Sequence, residues 1–126
     1  MVINLLKTVL NTIKSTFSLS GRASRKEFII FHIFYGILCI LFTLIDQIIY
    51  KLSISIVVFL TIIIWLSVII FIPSIFSLIV RRIHDLNASA WWLLITLIPL
   101  GGLLFFALPF KKGTPGSNKY GDPPEY

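Results

Sequence analysis

The sequence predicts an all-α, polytopic membrane protein: an amphipathic N-terminal helix followed by three transmembrane helices, with two spans plus a re-entrant helical hairpin as the alternative. Three observations predict it. Hydrophobic residues make up 57% of the 126 and charged residues 13%, about half the charge of an ordinary soluble domain. The mean hydropathy is +0.97, more apolar surface than a chain of this size can hide from water. The apolar residues also fall in three long runs parted by short polar breaks, after an opening segment with helical periodicity. A chain of this length is one domain. It divides into an interfacial helix at 1–17, a transmembrane region at 24–110 and a polar tail at 111–126.

The opening segment repeats Val2, Leu5, Leu6, Val9, Leu10, Ile13 and Phe17 at helical spacing, with Lys7, Asn11 and Lys14 elsewhere. A helix is expected at 3–16, lying in the headgroup plane with its lysines outward or packed on the rest of the protein. It lacks the short apolar core and small-residue cleavage site of a secretory signal.

Ser20-Gly21 breaks the chain, and Ser24-Arg25-Lys26-Glu27 then fits a capping box. The first span is expected at 24–47, with its apolar part at 28–45 about 27 Å long as a helix, close to the thickness of a hydrocarbon core. Asp46 and Gln47 mark its far end, and a short connection makes the next span an antiparallel neighbour. That second span, at 52–84, exceeds the bilayer as a straight helix and must tilt, extend or kink; Pro73 is the expected kink.

A polar island, Arg81-Arg82-Ile83-His84-Asp85-Leu86-Asn87, follows. Asn87 or Ser89 is placed to cap what comes next, and Trp91 and Trp92 suit an aromatic belt. The third run, 89–110, is long enough to cross, but Pro99-Leu100-Gly101-Gly102 divides it. It is either one kinked span or a hairpin turning at the glycines, whose backbone then needs covering by protein. The tail carries Thr114-Pro115-Gly116-Ser117, a type II turn pattern, and is otherwise expected to be flexible.

Basic residues orient the chain. Lys7, Lys14, Arg22, Arg25 and Lys26 precede the first span, Arg81 and Arg82 follow the second, and Lys51 alone lies between. The N-terminus and the island are therefore expected inside. Three spans then put Lys111, Lys112 and Lys119 outside, against the rule; the hairpin removes that conflict.

Four motifs in this order resemble a known bacterial family: Gly21-Arg22-Ala23-Ser24-Arg25-Lys26-Glu27-Phe28, Arg81-Arg82-Ile83-His84-Asp85, Ser89-Ala90-Trp91-Trp92, and the stretch from Gly113-Thr114-Pro115-Gly116 to Gly121. The family is domain-of-unknown-function 805, the YhaH-like inner-membrane proteins, and the resemblance covers nearly the whole chain. It implies a small multi-pass protein of the bacterial inner membrane. It brings no activity, substrate or catalytic residue. Asn87-Ala88 and Ile29-Ile30 depart from the family's usual residues at those places.

The candidate site is a charge cluster or anion and lipid site drawn from Arg22, Arg25, Glu27, Arg81, Arg82, His84 and Asp85. Arg81, Arg82 and Asp85 are one turn apart on a helix, and Arg25 or Glu27 is expected to join them from the first span. Two arginines against one aspartate leave a surplus positive charge for Glu27 or a lipid phosphate. The competing reading is a helix–helix turn whose arginines snorkel to headgroups.

His84 with Asp85 also suggests proton transfer in a membrane enzyme, but no second catalytic group accompanies them. His32 and His84 with Glu27 and Asp85 do not have metal-ligand spacing, and His32 reads as a satisfied interface histidine. No nucleophile elbow, phosphate-binding glycine loop or cofactor motif is present, and Cys39 is the lone cysteine. No cofactor is expected. The partners expected are the bilayer and its anionic phospholipid headgroups, with a membrane protein or a second copy as further options. Nucleic acid is not among them, because the basic charge lacks any recognition motif. A non-enzymatic membrane component is favoured over an oligomeric transport or pore subunit, since the notable polar residues of the spans, His32, Asp46 and Gln47, lie near their ends.

Overall fold

The computed structural model describes residues 2–49 and 51–124, and every regular element among them is helical. The ends of the expected domain and tail, Met1, Glu125 and Tyr126, lie outside the described residues.

Helix α1, Val2–Lys14, follows the apolar periodicity. It packs on the rest of the chain through Val9 and Thr12, both buried. Leu6, Leu10 and Ile13 stay exposed. The helix is therefore packed on the rest of the chain, as one of the two expected placements had it, with apolar side chains left outward.

Helix α2, Arg25–Ile49, begins where the capping box put it: the Glu27 N–H donates to Ser24 Oγ at 3.0 Å. The Glu27 carboxylate turns outward to Arg81 and Thr12. Helices α3, Ile54–Ile70, and α4, Ile72–Asp85, make up the second long segment. They break at Phe71, because Pro73 has no N–H and so cannot bond the carbonyl of Ile69, four residues back. Phe71 is seated among aromatic rings of α2, with Phe34 and Tyr35 both 6.2 Å away. At the far end Thr61 Oγ1 donates to Asp46 Oδ1 at 3.0 Å, joining α3 to α2.

Two segments, Arg25–Ile49 and Ile54–Asp85, are long and apolar enough to cross a membrane. Only 11% and 6% of their most apolar stretches are buried inside the chain. A core helix of a soluble domain would be mostly buried, so these faces need an apolar solvent. The buried core lies at one end instead, where Val9, Ala23, Phe28, Phe31, Leu78 and Ile83 meet.

The expected third span at 89–110 is not formed as one helix. Residues Ala90–Leu97 form a 3-10 helix and Leu103–Ala107 a single-turn helix, α5. Between them Gly101 N–H donates to Ile98 O at 2.8 Å, and Leu100 takes φ 67. This is the geometry of a type II turn, with Pro99 at its second position. The segment leaves from the end of α4 and returns there: Arg82 Nε donates to Leu108 O at 3.0 Å, and Thr114 N–H to Asp85 O at 2.9 Å. The reason lies in the turn and in these closing bonds, which fold a run of spanning length back on itself.

Candidate functional site

The site is built on the last turn of α4. That helix ends in a Schellman arrangement: Ala88 N–H donates to Ile83 O at 3.2 Å and Asn87 N–H to His84 O at 2.9 Å, with Asn87 at φ 58. Ser89 caps the following 3-10 helix by accepting from the Trp91 N–H. The two candidate caps thus divide the work, Asn87 ending one helix and Ser89 starting the next.

Asp85 is fully buried. Arg22 Nε and Nη2 both lie 2.9 Å from its Oδ1, and Arg82 Nη1 donates to its Oδ2. The cation from the first motif is therefore Arg22, and Arg25, half-buried in the first turn of α2, makes no ion pair among the described residues. The cause is local. Ala23 N–H donates to Arg81 O at 3.0 Å, which lays the extended segment before α2 along the end of α4 and aims Arg22 at Asp85.

Two guanidiniums face one carboxylate, and backbone carbonyls take up the remaining donors. Arg82 donates to Ala23 O at 3.3 Å, to Leu108 O at 3.0 Å and to Lys111 O. Arg22 donates to Thr114 O and Gly116 O, both at 2.6 Å, and to Gly121 O at 3.3 Å. An Arg–Asp pair removed from water needs such extra bonds to offset desolvation. Of the island's two arginines, Arg82 pairs with Asp85 and Arg81 with Glu27, whose Oε1 lies 3.1 Å from Nη2, so Glu27 joins the island from the first helix as one of the two expected options had it. The carbonyls of the returning chain take up the donors of Arg22 and Arg82 without cancelling their charge.

The tail expected to be flexible is bonded to this cluster. Thr114 Oγ1 donates to Asp85 O at 3.0 Å. Asn118 Nδ2 donates to His84 O at 3.0 Å and to Thr114 Oγ1 at 2.9 Å. The His84 ring stacks on Tyr120 with centroids 3.8 Å apart, and its Nδ1 lies 3.3 Å from Gly21 O. Gly116 takes φ 69, as the type II turn pattern requires. Reasoning from the sequence missed Gly113, Thr114, Asn118 and Tyr120 as members of the site. The available signal was that they belong to the fourth motif of the family resemblance.

His84 and Asp85 are thus occupied separately, one by an aromatic ring and the other by two arginines. His32 Nδ1 lies 2.8 Å from Phe28 O, and its ring stacks on Phe28. Among the described residues no group of three or more His, Cys, Asp or Glu is placed to hold a metal ion.

The model of a family described as a protein of unknown function, DUF805, matches residues 16–122. The chain belongs to the DUF805 family. The match takes in Arg22, Arg81, Arg82, Asp85 and the tail that closes over them. Inner membrane protein YhaI of Escherichia coli K12 is 33% identical over 118 residues, covering 93% of this chain and 94% of the relative. Inner membrane protein YhaH of the same strain is 46% identical over 46 residues, 36% of this chain and 38% of the relative. No solved structure matches the chain. The inner-membrane location of these DUF805 relatives agrees with the unburied apolar helices described above.

Proposed function

We propose that this DUF805 protein is a non-enzymatic, multi-pass component of the inner membrane that docks on anionic phospholipid at the cytoplasmic face. The observation that carries this reading is the gathering of basic residues at one end of the α2 and α3–α4 pair. Lys26 is exposed at the start of α2, and Lys111, Lys112 and Lys119 are exposed on the tail that is bonded to the end of α4, with Lys119 Nζ 4.9 Å over the Tyr120 ring that stacks on His84. Lys51 lies in the connection at the opposite end. With two crossing helices and a re-entrant hairpin, the N-terminus, the island and the tail all sit on the side that the positive-inside rule makes cytoplasmic. Each surface cation then adds about 1 kcal/mol of attraction to anionic headgroups.

The alternatives have less support. An enzyme using His84 and Asp85 needs them free to act together, and each is held by other partners. A pore subunit needs polar lining along its spans, and Asp46 is spent on Thr61.

Topology reporters fused after Ser20, Leu86 and Tyr120 test the placement, together with lipid profiling of the protein in mixed-lipid nanodiscs. All three fusions are expected to read inside, and one after Lys51 outside. Anionic lipid is expected to be enriched around the protein, less so at high salt. An outside reading at Tyr120 restores the third span, and the absence of enrichment removes the lipid-docking role.

A further inference from the structure

A groove of about 530 Å³ runs between α1 and the start of α2, with Arg81 of α4 in its wall. Arg81 is buried, with 7% of its surface exposed. It differs from its neighbour Arg82 in one respect. Its Nε and Nη2 have no hydrogen-bond partner among the described residues. Nη2 is 3.1 Å from Glu27 Oε1, but that contact is an ion pair by distance without hydrogen-bond alignment. A buried guanidinium with two unsatisfied donors is costly. Nε and one terminal nitrogen form the edge of arginine that grips two oxygens of a phosphate at once.

The rest of the groove suits the same group. Asn4, Thr8 and Asn11 line it from α1 and Ser15 from the turn that follows. The spacing of the helical residues puts them on one face of α1, a neutral stripe of hydrogen-bonding side chains. Lys26 and Arg81 carry two positive charges against the single carboxylate of Glu27, leaving room for one negative charge. Leu5 and Ile30 add apolar lining.

We infer that this groove is a binding site for a singly charged phosphate diester bearing a hydroxylated headgroup, gripped by Arg81 and hydrogen-bonded by the α1 stripe. Phosphatidylglycerol has this chemistry, as does a free glycerophosphodiester. The site is separate from the Asp85 cluster. It also differs from general attraction to a charged surface, because it fixes one phosphate at one guanidinium.

The test uses the full chain purified in a neutral maltoside detergent, so its result does not depend on topology or on bilayer charge. Binding is read by native mass spectrometry and by calorimetry. The probes are short-chain phosphatidylglycerol, short-chain phosphatidylcholine and glycerophosphoglycerol. Phosphatidylglycerol is expected to bind at one site and in preference to phosphatidylcholine. Arg81→Gln is expected to weaken that binding about tenfold or more, the loss of a charge-assisted pair of bonds. Asn11→Trp, on the exposed side of α1, fills the groove without touching Arg81 and is expected to do the same. It keeps the test meaningful if Arg81→Gln fails to fold. Equal binding of glycerophosphoglycerol marks the ligand as a soluble diester, and binding of the lipid alone marks it as a membrane lipid; both support the site. Equal affinity for phosphatidylglycerol and phosphatidylcholine, or binding indifferent to Asn11→Trp, overturns it.

Discussion

Gly113 approaches the carboxylate of Asp85 so closely that a Cβ at residue 113 would collide with both carboxylate oxygens. The tail can bond to α4 only because residue 113 has no side chain. Gly113→Ala is therefore expected to push the tail off the cluster and to destabilise the protein by about 1–3 kcal/mol, the usual cost of overpacking a closed site. Thermal unfolding in detergent, with proteolysis of the tail as a second reading, checks this. Gly102→Ala is the control, since a Cβ there meets nothing within 4 Å. A stable Gly113→Ala protein with a protected tail would refute the close approach.

Arg22 and Asp85 are 63 residues apart in the chain and joined in a fully buried pair. Asp85→Asn leaves two buried guanidiniums without their counter-charge, a loss of about 3–5 kcal/mol. Arg22→Gln and Arg82→Gln are each expected to destabilise as well. The Asp85→Asn, Arg22→Gln double variant should lose less than the sum of the two, because the second change removes a charge the first had orphaned. Strict additivity in unfolding measurements would show that the two residues do not interact.

The turn of the hairpin rests on Gly101. A Cβ there would strike the carbonyls of Ile95 and Ile98. Gly101→Ala is expected to open the turn, loosen the grip of Arg82 on Leu108, and expose the 98–102 segment to labelling of engineered cysteines. Protection unchanged from the parent protein would mean that the turn has another geometry.

Ser77 holds the segment after α1: its Oγ lies 2.9 Å from Ser15 O and 2.6 Å from Ser18 O, and its one hydroxyl proton is shared between the two carbonyls. Ser77→Ala leaves these carbonyls without that donor, at a cost of about 1–2 kcal/mol. Faster hydrogen exchange across residues 15–20 is the expected reading. An unchanged rate would place the anchoring of α1 elsewhere, on the Thr12–Glu27 contact first of all.

Several features were readable from residue order because their causes are local. The periodic leucines and isoleucines of the first segment produce α1. Ser24 starts α2 by accepting from the Glu27 N–H, although the Glu27 side chain does not return the bond and goes to Arg81 and Thr12, and Pro73 interrupts the second long segment by withholding a single N–H. Apolar content specified the solvent of α2 and α3, since no chain of this length can bury so many aliphatic faces on itself.

What the order of residues could not decide was which of two arginines three positions apart, Arg22 or Arg25, reaches Asp85. That depends on the Ala23 N–H meeting Arg81 O, a contact between segments distant in the chain. Nor could it decide whether residues 89–110 form one helix or fold back on themselves, because both kinds of run are equally apolar. The path follows from the closing bonds of Arg82 to Leu108 and Lys111 and of Thr114 to Asp85. The sequence by itself determined α1, α2, the break before Pro73 and the apolar solvent around the long helices, through hydrogen-bond capping and hydrophobic periodicity. Only the tertiary structure decided which buried charges meet and where the chain turns back, because a buried ion takes its partner from whatever the fold brings within bonding distance.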